Sequence, residues 1–106
     1  MTAVVEVTER TFATEVLYSS RPVLVDFWAD WCEPCKQLST VVDELSERFP
    51  QIKFCKVDTN VDPGLAARQG VMSLPTLQVI VGGEVVHVQQ GSRPKAGITS
   101  MLERYV

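Results

Sequence analysis

The chain has 106 residues, 45% of them hydrophobic, and a formal net charge of −3, enough for one domain over residues 1–106 with an ordinary core and too little for two. Its 10 Lys and Arg are scattered among 13 Asp and Glu without a basic run, which excludes an electrostatic nucleic-acid footprint, and no apolar run approaches the ~20 residues that span a bilayer. The 3 cysteines are an odd number and argue against a secreted disulfide scaffold; Met1–Val7 has no basic n-region and no apolar h-region with a cleavage site follows, so a reducing cytoplasm is the expected compartment.

Ala3–Val7 reads as a short strand. Thr8 can cap a helix running to about Ser19, with Phe12, Val16 and Leu17 on one face. Arg21-Pro22 punctuates the chain before Val23–Trp28, a nearly continuous apolar run with one carboxylate, Asp26, which suits a central strand covered on both faces. A second helical pattern over Lys36–Phe49 places Leu38, Val42, Leu45 and Phe49 on one side and Asp43, Glu44, Glu47 and Arg48 on the other, and Pro50 stops it. Ile52–Asp58 reads as a third strand. Asp62-Pro63-Gly64 starts a short helix ending near Gly70. Thr76–Val81 and Glu84–Gln89 read as strands joined by a Gly82-Gly83 hairpin turn, and Pro94 opens a last helix with Ile98, Met101, Leu102 and Tyr105. The order is βαβαβαββα, an α/β chain whose economical packing is a mixed central sheet of about five strands with about four helices on its faces.

Trp31-Cys32-Glu33-Pro34-Cys35-Lys36 lies between the apolar run Val23–Trp28 and the second helix. Two thiols three residues apart can meet in a small ring and cycle between dithiol and disulfide. A cysteine at the first turn of a helix faces unpaired backbone N–H groups and the positive end of the macrodipole, which favour the reactive thiolate. Cys32, ahead of the helix, should be the partly exposed nucleophile, and Cys35, one turn in, the covered resolving thiol. Pro34 fits a first turn because its missing N–H would have no helical partner, and it stiffens the ring. Asp26 lies between apolar neighbours, so burial should raise its pKa; the plainer reading is a strand-end aspartate capping a backbone group.

These features occur together in order: Val25–Ala29 (VDFWA), Trp31–Lys36 (WCEPCK), Lys56–Asp58 (KVD), Leu74–Thr76 (LPT), Gly82–Glu84 (GGE) and Gly91. In this set the chain resembles the thioredoxin family along essentially its whole length. The resemblance implies the thioredoxin fold and a protein-disulfide reductase whose only redox group is the Cys32–Cys35 pair, with no bound cofactor and no metal. It implies that Asp26 takes the proton of Cys35 through a water, that Lys56 beside it tunes that acid, and that Pro34 sets the redox balance. It implies a cis Pro75 facing the disulfide, with the Leu74 backbone open to strand-like pairing with a target. Trp31, Val71, Ser73, Leu74 and Gly91 would form the substrate rim. The implied partners are diverse disulfide-containing proteins and a thioredoxin reductase, either an NADPH flavoprotein or a ferredoxin-linked enzyme, acting on a monomer with no nucleic-acid or membrane partner. Lys56 also reads as a snorkelling side chain, Gly91 as a turn glycine and Trp28 as packing beneath the site.

The chain departs from the family pattern at Glu33, where most members have glycine. At about 6 Å from a thiolate its carboxylate opposes ionisation by roughly 0.7 kcal/mol in water and roughly 3 kcal/mol at an effective dielectric of about 20, against about 0.3–1 kcal/mol of help from the helix terminus. Glu33 should therefore make the pair more reducing, unless it points outward and is screened. Thr40 stands where many relatives kink the helix with proline, and Ser73 and Gln90 alter the rim. Two other readings are a non-catalytic binding adaptor and a zinc module of Cys32, Cys35, Cys55 and His87. The plainer places for the last two are the core for Cys55 and an edge for His87.

Overall fold

The computed structural model describes residues 3–106; Met1 and Thr2, the first residues of the Met1–Val7 stretch weighed above, lie outside it. Strands β1 (Val4–Glu6), β2 (Val23–Trp28), β3 (Lys53–Asp58), β4 (Thr76–Val81) and β5 (Glu84–Gln90) form one sheet in the order β1-β3-β2-β4-β5. The first three run parallel, β4 is antiparallel to β2, and β5 is antiparallel to β4. The continuous apolar run thus becomes the central strand: Val23–Phe27 are all buried, as a strand covered on both faces requires.

Alternation along the strands sorts the core into two layers. Leu24, Phe54, Leu77 and Val79 face helices α1 (Glu33–Arg48) and α3 (Lys95–Leu102), meeting Leu38, Val42, Leu45, Ile98, Met101 and Leu102. Val23, Val25, Phe27, Cys55, Val57 and Ile80 face the other way, toward Phe12, Val16 and helix α2 (Pro63–Arg68) with Leu65 and Ala66. Each large side chain so buried contributes about 1.5–3 kcal/mol. Glu103–Tyr105 closes the chain as a 3-10 turn. No helix among the described residues is long and apolar enough to cross a membrane.

The helix expected from Thr8 to about Ser19 is instead a π-helical segment, Ala13–Leu17. Thr8 is not its N-cap, which is Phe12: the Thr8 carbonyl accepts the Phe12 N–H at 2.9 Å and its own N–H donates to Thr11 Oγ1 at 3.0 Å, so Thr8 closes one turn ahead of the segment. The wide turn closes through Tyr18 N–H to the Ala13 carbonyl at 3.0 Å and still buries Phe12 and Val16. An ion pair between Lys53 and Glu15 at 2.6 Å ties it to β3. Helix α1 begins at Glu33, ahead of the Lys36 expected from periodicity, because Cys32 itself serves as N-cap. It runs unbroken past Thr40 to Arg48.

In the hairpin, Gly82 and Gly83 take φ of 59° and 84°, the left-handed geometry a two-residue turn between twisted strands needs. Val79 pairs with His87 but Ile80 with Val85, so Val86 is an extra residue in the outermost strand. The valines at 85, 86 and 88 are exposed on this strand.

Candidate active site

The site forms where β2 ends and α1 begins. Cys32 has extended φ/ψ of −96° and 103°, and its Sγ accepts the backbone N–H of Cys35 at 3.3 Å. Its carbonyl accepts Lys36 N–H at 3.3 Å, the first bond of the helix. Glu33 and Pro34 occupy the first turn, where the lost proline N–H leaves no helical carbonyl unpaired. This cap brings the two cysteines together as a disulfide with Cα atoms 5.2 Å apart. Sγ of Cys32 thus sits against a helix N-terminus, the setting that stabilises a thiolate when the bond is reduced.

Cys32 is 5% exposed and Cys35 1%. The order is the expected one, but Cys32 is more covered than its place ahead of the helix suggests. The cause is packing: Ala29, Cys32 and Cys35 form a small cluster onto which Trp28 and Leu74 fold. Leu74, joined to Pro75 by a cis peptide bond, thus brings the entry to β4 against this cluster through its own packing.

Beside the cluster is a groove of about 300 Å³, lined in part by Trp31, Ala67, Val71, Met72, Ser73 and Leu74. Four of the five rim residues read from the sequence therefore converge. The fifth, Gly91, lies across Pro75, donating its N–H to the Pro75 carbonyl at 2.8 Å. Its φ of +80°, with nothing within 4 Å of where a Cβ would stand, makes it a left-handed turn residue. Trp31 is 69% exposed, yet anchored: Nε1 donates to Asn60 Oδ1 at 3.1 Å, and Asn60 Nδ2 donates to Asp30 Oδ1 at 2.7 Å. Sequence reasoning does not single out Asn60; its only signal is its place just beyond the Lys56-Val57-Asp58 strand end.

Asp26 is 1% exposed, in register with Lys56 of β3 and Leu77 of β4. Alternation puts it on the same sheet face as Leu24 and Trp28, beneath α1. Burial pushes its carboxyl up to about 7, against the pull of the Lys56 ammonium and with a small push from Asp43 of α1. Asp26 Oδ1 and Trp28 Nε1 are buried with no hydrogen-bond partner among the described residues, so Asp26 does not cap a backbone group through that oxygen. The Lys56 ammonium sits 6.0 Å from the centre of the Trp28 ring. A cavity of about 220 Å³ opens at this level, lined by Trp28, Cys35, Lys36, Ser39, Thr40 and Lys56.

Glu33 is 77% exposed on its side chain and pairs with Lys36 at 3.2 Å, so its charge is turned to solvent and partly offset. The zinc set is not assembled. Cys55 is buried in the layer facing α2, His87 is on the edge strand, and among the described residues no three His, Cys, Asp or Glu side chains converge to hold a metal. Burial pushes the Cys55 thiol up to about 11, the inert state of a core cysteine.

Residues 3–104 match the family model described as Thioredoxin. The chain is 43% identical to Thioredoxin 1 of Nostoc sp. (strain PCC 7120) over 100% of both chains. It is 48% identical to the thioredoxin of Streptomyces clavuligerus, covering 87% of this chain and 86% of that one. With the chloroplastic M-type thioredoxin of Chlamydomonas reinhardtii it shares 42% identity over 94% of this chain and 72% of the other.

Proposed function

This chain belongs to the thioredoxin family and is a thiol–disulfide oxidoreductase, and from that premise we propose that it works as a reductase of protein disulfides, with Cys32 attacking and Cys35 resolving. The observation that carries the reading is the Cys32–Cys35 disulfide at the N-terminus of α1.

In the reduced protein the Cys32 thiolate attacks one sulfur of a target disulfide. That S–S bond breaks, a mixed disulfide forms, and the first target thiolate leaves and takes up a proton. Cys35 then attacks Cys32 Sγ, the mixed disulfide breaks, and the second target thiolate departs. Two electrons and two protons pass to the target, and the Cys32–Cys35 bond closes. Asp26, with a pKa of about 7, accepts the Cys35 proton in the second step through water in the cavity over Cys35 and Lys56. Lys56 opposes the burial penalty and keeps that acid from being protonated permanently. Pro34 holds the ring geometry on which the redox balance depends.

Trp31, Val71, Ser73 and Leu74 hold the target segment along the groove, and Pro75 with Gly91 closes the wall behind it. A wall made of small and apolar groups suits many targets at low affinity. Reducing equivalents come from a thioredoxin reductase, NADPH-dependent or ferredoxin-linked, and the protein acts as a single-domain monomer in a reducing compartment such as the cytoplasm. The test is insulin-disulfide reduction with dithiothreitol as donor, comparing the parent chain with Cys32→Ser. Cys32→Ser should fall to the background rate. Parent protein no faster than background makes the chain a binding adaptor instead, and a fully active Cys32→Ser removes residue 32 as nucleophile.

A further inference from the structure

Gln78 occupies the middle of β4, 3% exposed, between the buried Leu77 and Val79. Its neighbours across the sheet are Val25 and Val88. A primary amide in such surroundings is costly unless both of its ends are bonded. Both are, and both to one residue: Nε2 donates to the Gln69 carbonyl at 2.7 Å, and Oε1 accepts from Gln69 Nε2 at 3.2 Å.

Gln69 is the C-cap of α2, where the last carbonyls have no helical partner. Directly after it Gly70 turns the chain at φ +74°, and the Gly70 and Val71 N–H groups bond back to Ala67 and Ala66 at 3.0 and 2.9 Å. The chain then runs through Val71, Met72, Ser73 and Leu74, which form one wall of the groove. Thr76 Oγ1 donates to the Ser73 carbonyl at 2.6 Å, and β4 follows. Gln69 and Gln78 are nine positions apart, one before the wall and one after it. Their amide pair closes the wall into a loop pinned at its base.

A leucine would fill the same space with apolar contacts. Packing alone therefore does not call for an amide at residue 78. What the amide adds is direction, because it holds one carbonyl of the helix end at one position on the strand.

We propose that the Gln69–Gln78 pair is a positioning device for target recognition, fixing the Val71–Leu74 wall in the register a bound polypeptide disulfide needs. The proposal rests on the reading that the groove takes target segments. Its demand falls on the wall and not on the exchanging sulfurs, to which the wall's link is Leu74, packed against the disulfide cluster. Loosening the wall therefore weakens capture of a polypeptide and leaves exchange with a small disulfide alone.

The experiment measures KM and kcat for insulin, together with the rate toward a small aromatic disulfide, in the parent chain, Gln78→Leu and Gln69→Ala. Gln78→Leu, which loses both hydrogen bonds to Gln69, should raise the insulin KM about fivefold when each bond is counted at the low end of its net worth, with kcat and the small-disulfide rate unchanged. Gln69→Ala keeps the backbone acceptor and should raise KM by about twofold. An unchanged insulin KM in Gln78→Leu overturns the proposal. So does an equal loss of rate toward both substrates, which marks Gln78 as a core residue and nothing more. Where Gln78→Leu does not fold, an unchanged KM in Gln69→Ala overturns it. Met72→Asp, on the groove itself, separates the two readings. If Met72→Asp raises KM and Gln78→Leu does not, the groove stands and the amide pair loses its role. If neither variant moves KM, the groove reading falls and takes the proposal with it.

Discussion

Replacing Asp26 by Asn should make the protein more stable at neutral pH and remove a pH dependence that the parent chain carries. The carboxyl ordinarily titrates at 3.8 and in the folded protein at about 7, chiefly because burial penalises its charged form. The folded state thus holds the proton more tightly than the unfolded state. Between those two values the folded protein retains a proton that the unfolded chain has released, so stability falls as pH rises through the window. Each pH unit of the window is worth about 1.4 kcal/mol, and a span of about 3 units gives about 4 kcal/mol lost by pH 7. Asn carries no charge to desolvate and inherits the same unpartnered Oδ1 position. The two chains should therefore be similar near pH 4, diverge steadily to pH 7, and keep a constant gap above it. Urea unfolding of the oxidised proteins at unit steps from pH 4 to 9 reads this directly. Oxidation removes the Cys32 and Cys35 thiols from the titration. A gap between Asp26→Asn and the parent that does not change from pH 4 to 8 would refute the assignment of a buried, proton-retaining carboxyl.

Lys56→Met removes the charge that pulls the Asp26 pKa down, so the pH at which the stability gap stops widening should move above about 7; a move to lower pH contradicts the Asp26–Lys56 coupling. Glu33→Gly should lower the pH midpoint of Cys32 alkylation, but by no more than about half a unit, because the exposed Glu33–Lys36 pair acts across water where the opposing energy is about 0.7 kcal/mol. A fall of about two units would mean that Glu33 works in a low dielectric, against its exposure. Cys55, fully buried and with its thiol pushed up to about 11, should resist iodoacetamide at pH 8 in the folded oxidised protein and react fully in denaturant; mass spectrometry showing a label in the folded state would contradict its placement in the core.

The central strand and the long helix are legible in the sequence because each carries a strong, one-dimensional signal. Val23–Phe27 has no polar residue to place but Asp26, and Leu38, Val42 and Leu45 repeat at helical spacing. The first helical segment is not, because Phe12 and Val16 have the spacing of an α-helix, while the segment widens into a π turn that closes from Tyr18 to Ala13. Periodicity reports which side chains face inward, and four-residue spacing does not distinguish an α from a π turn. At the site, the cysteines and Asp26 stand out by type and setting, and the wall residues Val71, Ser73 and Leu74 enter through the resemblance to the thioredoxin family. Asn60 and Gln78 do not, since an amide in a sequence does not show what it bonds. Each acquires its part only through a partner to which the sequence does not point, Trp31 for one and Gln69 for the other. The covered state of Cys32 is likewise hidden, because it depends on Leu74 and Trp28 arriving from other elements.

The extra residue in β5 bears on how the molecule behaves in crowded solution. An outermost strand with valines at 85, 86 and 88 open to water is a natural template for a neighbouring copy to zip onto. The shift between Val79–His87 and Ile80–Val85 breaks the even spacing of the outward amides at Val86, and a kinked ladder cannot propagate hydrogen bonds along its length. The irregularity therefore works against edge-to-edge pairing of copies along this greasy border.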